Sequence, residues 1–207
     1  MTEQRGWDMA RKVDHEERRR EIAEKAMRLF SQVGYENVSL IMIAASAGVS
    51  RTVLYRYFCS KREVMDAAIH TVTSAIEREC VEIIANREPA ISRLEKVCHA
   101  VVERMFGNRE FVIAVFDYVL GLVRTGADMT AGIAARTVGT RTAIRLLLEH
   151  AKRRGELSPD IIVDRITDAI YAEFESCAMR IVLGTEKDPV AAKVRFSDVI
   201  RAISIWK

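Results

Sequence analysis

The amino-acid sequence predicts an all-α fold. Glycines and prolines are few among the 207 residues, and they divide the chain into segments long enough to form helices. Within these segments apolar residues recur every three or four positions, and no segment alternates strictly between apolar and polar residues as a half-buried strand would. We therefore expect about nine helices, arranged in one large domain or two smaller ones.

The first helix is predicted over residues 14–33. Its apolar residues share one helical face, and Gly34 follows at the position where a left-handed backbone closes a helix. Arg18-Arg19-Arg20 stands among glutamates and is interpreted as a solvated surface. The preceding residues 1–13 are polar, and we expect them to form a flexible tail. The apolar face consists of Ile22, Ala26, Leu29, Phe30 and Val33.

Two short helices with a glycine between them are predicted next. Ser39 is a favourable N-cap for the first, which ends near Ala47. Gly48 can adopt the backbone that a tight turn needs, and Ser50 begins the second helix, which continues to about Phe58. Two short helices joined in this way are typical of a helix-turn-helix unit, whose second helix presents its N-terminal residues to base edges in the major groove of DNA.

The rest of the chain is predicted to be helical as well. A fourth helix begins at Ser60, in a Ser-Lys-Arg-Glu capping box, and extends to about Ala85. The helix at 109–125 is apolar on nearly every side, which predicts a central and buried position. The five remaining predicted helices span 90–106, 109–125, 128–154, 160–183 and 188–205.

The charge is unevenly distributed along the chain. Residues 1–65 contain 12 Lys and Arg against 9 Asp and Glu, whereas residues 66–207 contain 20 against 20. No acidic residue occurs between Glu36 and Glu63. A basic stretch without acids favours a polyanionic partner such as nucleic acid.

The sequence lacks the patterns of catalytic and metal-binding sites. Its four histidines and four cysteines show no metal-ligand spacing and no Cys-x-x-Cys pair. We find no Ser/His/Asp or Cys/His set, no glycine-rich phosphate loop and no recognisable pair of catalytic carboxylates. Neither an enzyme nor a cofactor is therefore expected. The absence of a signal peptide and of an apolar run long enough to span a bilayer favours a reduced, cytoplasmic setting without membrane partners.

A set of residue types recurs at fixed spacing around the predicted turn. In order, the set is Ile43-Ala44, Ala47-Gly48-Val49-Ser50, Leu54-Tyr55-Arg56-Tyr57-Phe58 and Ser60-Lys61. This set resembles the DNA-binding domain of the TetR family of bacterial transcriptional regulators, and the likeness extends over residues 18–68. The resemblance implies a DNA-binding domain at 14–65 and a ligand-binding and dimerisation domain at 66–207. It also implies a homodimeric repressor that binds palindromic double-stranded DNA and is released by an unknown small-molecule effector.

The resemblance further implies roles for individual residues. The family positions of Ser39, Tyr57 and Lys61 contact phosphates, and those of Arg51, Thr52 and Tyr55 face bases or nearby phosphates. Arginine can also bind guanine O6 and N7 through two donors. The predicted DNA-binding residues are Ser39, Ser50, Arg51, Thr52, Tyr55, Arg56, Tyr57 and Lys61. The residues that depart from the usual types of the family are Ile41, Met42, Val53 and Arg62.

The second domain offers candidates for an effector site and a dimer interface. Asp117 interrupts an apolar run, so its carboxylate could pair with a cationic ligand or with an internal arginine such as Arg141 or Arg145. The candidate ligand residues are Phe111, Asp117, Tyr118, Tyr171 and Phe174, although aromatic residues such as Phe111, Tyr171 and Phe174 are more often core than pocket lining. The apolar stripes of the last two helices predict an interface containing Ile166, Ile170, Cys177, Ile181 and Val194.

Two other interpretations remain open at this stage. The chain could be an all-α enzyme or ligand carrier whose N-terminal unit is structural. Alternatively, it could bind DNA as an activator or as an architectural protein without any ligand. A change in DNA affinity on addition of small molecules would distinguish this last interpretation from a ligand-responsive regulator.

Overall fold

Nine helices make up the described part of the protein. The computed structural model describes the backbone of residues 2–126 and 134–204, and the side chains of 15–126 and 138–204. Within these ranges there is no strand, only an isolated bridge between Leu157 and Ser204. The all-α prediction is confirmed. The helices are α1 (Thr2–Val33), α2 (Leu40–Ala47), α3 (Arg51–Tyr55), α4 (Lys61–Ala85), α5 (Ala90–Gly107), α6 (Arg109–Thr125), α7 (Ala134–Arg153), α8 (Val163–Val182) and α9 (Val190–Ile203).

Two helix boundaries differ clearly from the prediction. Helix α1 begins at Thr2, so residues 2–13 of the predicted tail continue the helix. This segment contains no proline, and nothing in it ends the helix before the predicted start. Helix α3 ends at Tyr55 instead of Phe58, because the chain tightens there into bonds between residues three apart, such as that from the Arg56 N–H to the Val53 carbonyl.

The predicted burial of α6 on nearly every side is wrong. Val112 and Tyr118 are buried, but Ile113, Leu120 and Val123 are exposed. An all-round apolar composition cannot distinguish a helix packed on every side from one that packs along a single stripe. No helix in the described ranges is both long enough and apolar enough to cross a membrane.

The first compact unit consists of Met1–Val72 together with Ala114–Thr125. Helices α1, α2 and α3 pack around a core formed by fully buried side chains. The predicted boundary after residue 65 lies a little before the end of the first segment, and nothing in the sequence indicated that part of α6 belongs to this unit. The fully buried core side chains include Ile22, Phe30, Ile43, Leu54, Phe58 and Met65.

The second compact unit consists of Thr73–Ile113 together with Gly126–Lys207. Helix α5 packs against α7 and α9, and α8 packs against α7 and α9. An ion-pair network joins α8 to α9: both terminal nitrogens of Arg195 lie 2.8 Å from the carboxylate of Glu186, and its Nε lies 2.6 Å from Glu173 Oε1. Glu186 is itself buried, so the paired arginine balances its charge.

Candidate nucleic-acid interface

The turn between α2 and α3 has the predicted geometry. Ser39 caps α2, and its Oγ accepts a hydrogen bond from the Met42 N–H at 3.3 Å. Gly48 ends the helix with φ +68°, in the left-handed region that disfavours a side chain. The Val49 N–H then donates to the Ala44 carbonyl at 3.0 Å. The helix-turn-helix prediction is confirmed.

Helix α3 presents a polar face to solvent. Its N-cap, Ser50, accepts a hydrogen bond from the Val53 N–H at 3.2 Å, and Leu54 on the opposite side is completely buried. Leu54 therefore anchors the helix while the other side stays free. The exposed face consists of Ser50, Arg51, Thr52, Tyr55 and Arg56, all of which the sequence analysis proposes as DNA-binding residues.

The start of α4 is capped, but not entirely as predicted. Ser60 Oγ accepts a hydrogen bond from the Glu63 N–H at 3.1 Å, which is the first half of a capping box. The Glu63 carboxylate, however, accepts from the Cys59 N–H at 2.8 Å instead of from Ser60. The loop between α3 and α4 is therefore held from the α4 side.

Arg19 of α1 fixes the same loop, a role that was not predicted from the sequence. Its guanidinium donates to Glu63 Oε1 at 3.1 Å and to the Tyr57 carbonyl at 3.4 Å, and it lies 4.7 Å from the centre of the Phe58 ring. The solvated-surface interpretation holds for its neighbours, which pair with glutamates of α1. Arg19 stands three positions before the buried Ile22, and this helical spacing is the signal that could have identified it.

Tyr57 is less free than its predicted phosphate contact implies. Its side chain is half-buried, and its ring centre lies 4.6 Å from that of His15 on α1. Its phosphate contact stays a prediction.

Lys61 is occupied within the protein. Its Nζ donates to the carbonyl of Tyr35 at 2.7 Å and to that of Glu36 at 3.1 Å, and it lies 4.4 Å from the centre of the Tyr35 ring. Two of its three donors are thus directed into the turn between α1 and α2. The predicted phosphate contact would have to rely on the remaining donor.

Two predicted ligand residues, Asp117 and Tyr118, lie in the first unit beside the same turn. Asp117 Oδ2 accepts a hydrogen bond from the Tyr35 N–H at 2.6 Å, and the Tyr118 ring lies 4.6 Å from that of Tyr35. Burial, and next the neighbouring Tyr118, raise the pKa of Tyr35 to about 12. Arg141 and Arg145, the alternative partners that the sequence suggested for Asp117, pair with Asp168 and Glu149 instead.

The other three ligand candidates lie in the second unit. Phe111 and Tyr171 are half-buried, whereas Phe174 is buried with its ring centre 4.4 Å from that of Phe196. Phe174 is thus a core residue, as the alternative interpretation allowed. A surface groove of about 240 Å³ lies between α7 and α8, but none of these candidates lines it. The groove is lined by Val138, Arg141, Thr142, Arg145, Asp164, Thr167 and Asp168.

The predicted dimer stripe lies mainly inside the protomer. Ile170, Cys177 and Ile181 are buried in the single chain, so their assignment to an interface surface is wrong. A stripe at helical spacing marks the side of α8 that packs on its own core. Ile166 is half-buried, whereas Val194 is exposed. Large apolar side chains are exposed at the end of α8 and along α9; they are Met179, Leu183 directly after α8, Val190 and Val194.

No metal centre is evident in the described residues, among which no three His, Cys, Asp or Glu side chains form a cluster that could hold an ion. The exposed face of α3 offers hydrogen bonding and charge, because it carries two guanidinium groups, hydroxyl groups and a phenol.

Comparison with known proteins agrees with this geometry. A family model described as "Bacterial regulatory proteins, tetR family" matches residues 22–68. The chain is 35% identical over 86 residues to the HTH-type transcriptional regulator HbdR of Aromatoleum sp. (strain CIB), and the match covers 42% of this chain but only 36% of that regulator. It is 27% identical over 184 residues to the HTH-type transcriptional regulator PksA of Bacillus subtilis (strain 168), which covers 88% of this chain and 85% of PksA.

The likeness in structure extends beyond the matched segment. The transcriptional regulator FadR of Bacillus subtilis, solved in complex with stearoyl-CoA, superposes with a TM-score of 0.76 at 18% identity. The superposition covers 87% of this chain and 96% of that one. At this identity the comparison establishes a shared fold and no more.

Proposed function

Because this chain belongs to the TetR family of bacterial regulatory proteins, we propose that it is a repressor that binds palindromic operator DNA as a homodimer and is released by a small-molecule effector. The relatives HbdR and PksA are HTH-type transcriptional regulators, which supports a regulator and not an enzyme. The proposed place of action is the cytoplasm, where bacterial DNA lies.

The exposed face of α3 is the observation that carries the proposal. In a helix-turn-helix unit the residues at the start of the second helix reach base edges in the major groove. Here those residues are Arg51 and Thr52, with Tyr55 one turn further along. A guanidinium can donate two hydrogen bonds to guanine O6 and N7. We assign base contacts to Arg51 and Tyr55, and base or phosphate contacts to Ser50, Thr52 and Arg56.

The residues around α3 are suited to hold the DNA backbone. Ser39 is exposed at the N-terminus of α2, where main-chain N–H groups and the helix dipole favour a phosphate. Tyr57 lies at the other end of α3, with its ring held against α1. Backbone contacts on both sides would fix the position of α3 in the groove without reading sequence.

Apolar residues exposed on α8 and α9 support a dimer. Met179 lies in the last turn of α8 and Leu183 follows directly after that helix, while Val190 and Val194 stand one turn apart on α9. An isologous interface uses the same patch on both subunits. Two copies related by a two-fold axis would present two α3 helices to half-sites about 34–36 Å apart, which accounts for a palindromic operator.

Release by an effector is supported by the related fold. The Bacillus subtilis FadR structure contains stearoyl-CoA, so this fold can hold a small molecule. An effector acts only if it favours a conformation whose two α3 helices no longer match the half-site spacing. Helix α4 runs without interruption from Lys61 to Ala85 and contributes residues to both compact units, so we propose that it transmits the change.

Selection from a random duplex library, at fixed near-physiological salt and with unliganded protein, tests the proposal. We expect an enriched inverted repeat whose two halves are one helical turn apart or a multiple of it. Arg20→Ala serves as the matched control for variants of α3, because it removes the same charge from an exposed helix outside the motif. Failure of the wild-type protein to enrich any sequence, after removal of bound small molecules, would contradict the proposal.

A further inference from the structure

Tyr35 is held at both ends of its main chain by residues of two other helices. Its N–H donates to Asp117 Oδ2 of α6 at 2.6 Å, and its carbonyl accepts from Lys61 Nζ of α4 at 2.7 Å. Its side chain is buried, with the Phe30 ring centre 5.3 Å away and the Tyr118 ring centre 4.6 Å away. Three helices therefore meet on this one residue.

The Asp117 carboxylate supplies a hydrogen-bond acceptor that the main chain at the end of α1 lacks. The Gly34 N–H closes the helix on the Phe30 carbonyl, but no main-chain acceptor serves the N–H of Tyr35. A buried N–H needs a partner, and a carboxylate makes a strong charge-assisted bond. Gly34 also leaves room for the acid, because a Cβ at this position would lie 3.3 Å from Asp117 Oδ2.

This arrangement lies directly before the DNA-binding motif. The Tyr35 carbonyl also accepts from the Val38 N–H at 3.3 Å, and the next residue is Ser39, the N-cap of α2. The hydrogen bonds on Tyr35 thus fix the direction in which the chain enters α2. Neither Asp117 nor Lys61 needs to touch DNA to have this effect.

On the basis of the proposed DNA-binding function, we infer that Asp117 is a positioning residue for operator binding. Together with Lys61 it holds the main chain of Tyr35 in place and so orients α2 and Ser39 toward the DNA. We call this group of three residues the Tyr35 clamp. It gives Asp117 a role distinct from the ligand contact that the sequence suggested.

Two variants of Asp117 test the Tyr35 clamp. Asp117→Asn keeps a carbonyl acceptor of the same size, whereas Asp117→Ala removes the acceptor. We measure hydrogen exchange at the Tyr35 amide without DNA, and affinity for the selected operator at several salt concentrations. We expect Asp117→Ala to speed exchange at this amide and to weaken operator binding about tenfold with an unchanged salt dependence, since a hydrogen bond to a charged group is lost. We expect Asp117→Asn to stay within about threefold of the wild-type affinity.

The outcomes separate this inference from the proposed function. Wild-type-like operator affinity in Asp117→Ala, with the Tyr35 amide exposed to exchange, would overturn the positioning role. Unchanged exchange would overturn the clamp itself. If Asp117→Ala does not fold, Asp117→Asn provides the test, because it keeps the acceptor for the Tyr35 N–H. An operator affinity of Asp117→Asn as low as that of a Ser39→Ala, Arg51→Ala double variant would then overturn the positioning role. If the wild-type protein selects no DNA, the proposed function fails, whereas the exchange result still reports on the clamp.

Discussion

Nη2 of Arg51 lies 3.3 Å from the hydroxyl oxygen of Tyr55, one turn further along α3, and the guanidinium carbon lies 5.4 Å from the centre of the tyrosine ring. Both side chains are exposed, and the contact orders them on the surface that we propose to face DNA. A guanidinium that is already oriented loses less conformational freedom when it binds a base.

Arg51→Ala is therefore expected to relax base preference at one or two positions of each half-site. The cost at those positions is about 1–3 kcal/mol, because a bidentate contact with a base is lost. Repeating the library selection with the variant provides the measurement. Arg20→Ala should reproduce the wild-type preference, and an unaltered preference in Arg51→Ala would remove Arg51 from the base contacts.

The Tyr35 clamp predicts a role for Lys61 that differs from the phosphate contact implied by the family resemblance. Lys61→Ala should weaken binding to all sequences, but the logarithm of affinity should fall with the logarithm of salt at the wild-type slope. A lysine that contacts phosphate would instead lower the slope by about one ion when removed. Titrations at several salt concentrations measure the slope, and a decrease of one ion would return Lys61 to the phosphate contacts implied by the family resemblance.

Gly34 and Gly155 provide a matched pair for the close approach of Asp117. Both have left-handed backbones, with φ values of +81° and +70°, so an alanine at either position should cost about 1 kcal/mol of unfolding free energy. A Cβ at Gly155 meets nothing within 4 Å, whereas one at Gly34 meets the Asp117 carboxylate. We expect Gly34→Ala to be the more destabilising in denaturant unfolding. Equal losses of unfolding free energy in the two variants would show that the Asp117 carboxylate moves away from the added Cβ without cost.

Glu186 predicts a dependence of stability on pH. Hydrogen bonds from Arg195 hold the pKa of Glu186 below its ordinary value of 4.5. A carboxyl group whose pKa is lowered by folding adds stability that is present above its unfolded pKa and is lost as the pH falls through its folded value. Glu186→Gln should thus lower the unfolding free energy near pH 7 by on the order of 2 kcal/mol, and the loss should shrink below pH 4.5.

Thermal unfolding of the wild-type protein and of Glu186→Gln, repeated between pH 3 and pH 7 at steps of about one pH unit, measures this difference in stability. Asp198→Asn is the control, since it breaks a pair on α9 whose side chains are both largely exposed. Such pairs contribute little. If the loss of stability in Glu186→Gln is independent of pH, the ion pair with Arg195 does not lower the pKa of Glu186.

Val190 and Val81 test the proposed dimer surface with the same substitution. Their exposures are nearly equal, at 64% and 65%, but Val190 lies on α9 and Val81 on α4. Val190→Glu should shift the protein toward monomer in sedimentation, because a charge must be buried in the interface. Val81→Glu should leave the dimer intact, and the opposite pattern would place the interface elsewhere.

Local chemistry made part of this molecule predictable. Ser39, Ser50 and Gly48 act within a few residues of themselves, so caps and a turn at these positions follow from residue type alone. The roles of Asp117 and Lys61 depend on Tyr35, far away in sequence, and no local pattern reports such a contact. Ile170 and Cys177 show a related limit: helical spacing identifies an apolar face, but not whether the same chain or a second copy covers it.

The buried phenol of Tyr35 gives the protein an intrinsic optical reporter. Tyrosinate absorbs differently from tyrosine, and an exposed phenol loses its proton near pH 10, whereas the pKa of Tyr35 is raised to about 12. Tyr35 should thus remain protonated in mildly alkaline solution for as long as its surroundings stay closed. Any solute or substitution that opens the junction before α2 would then become visible as additional tyrosinate absorbance, without a label and without DNA.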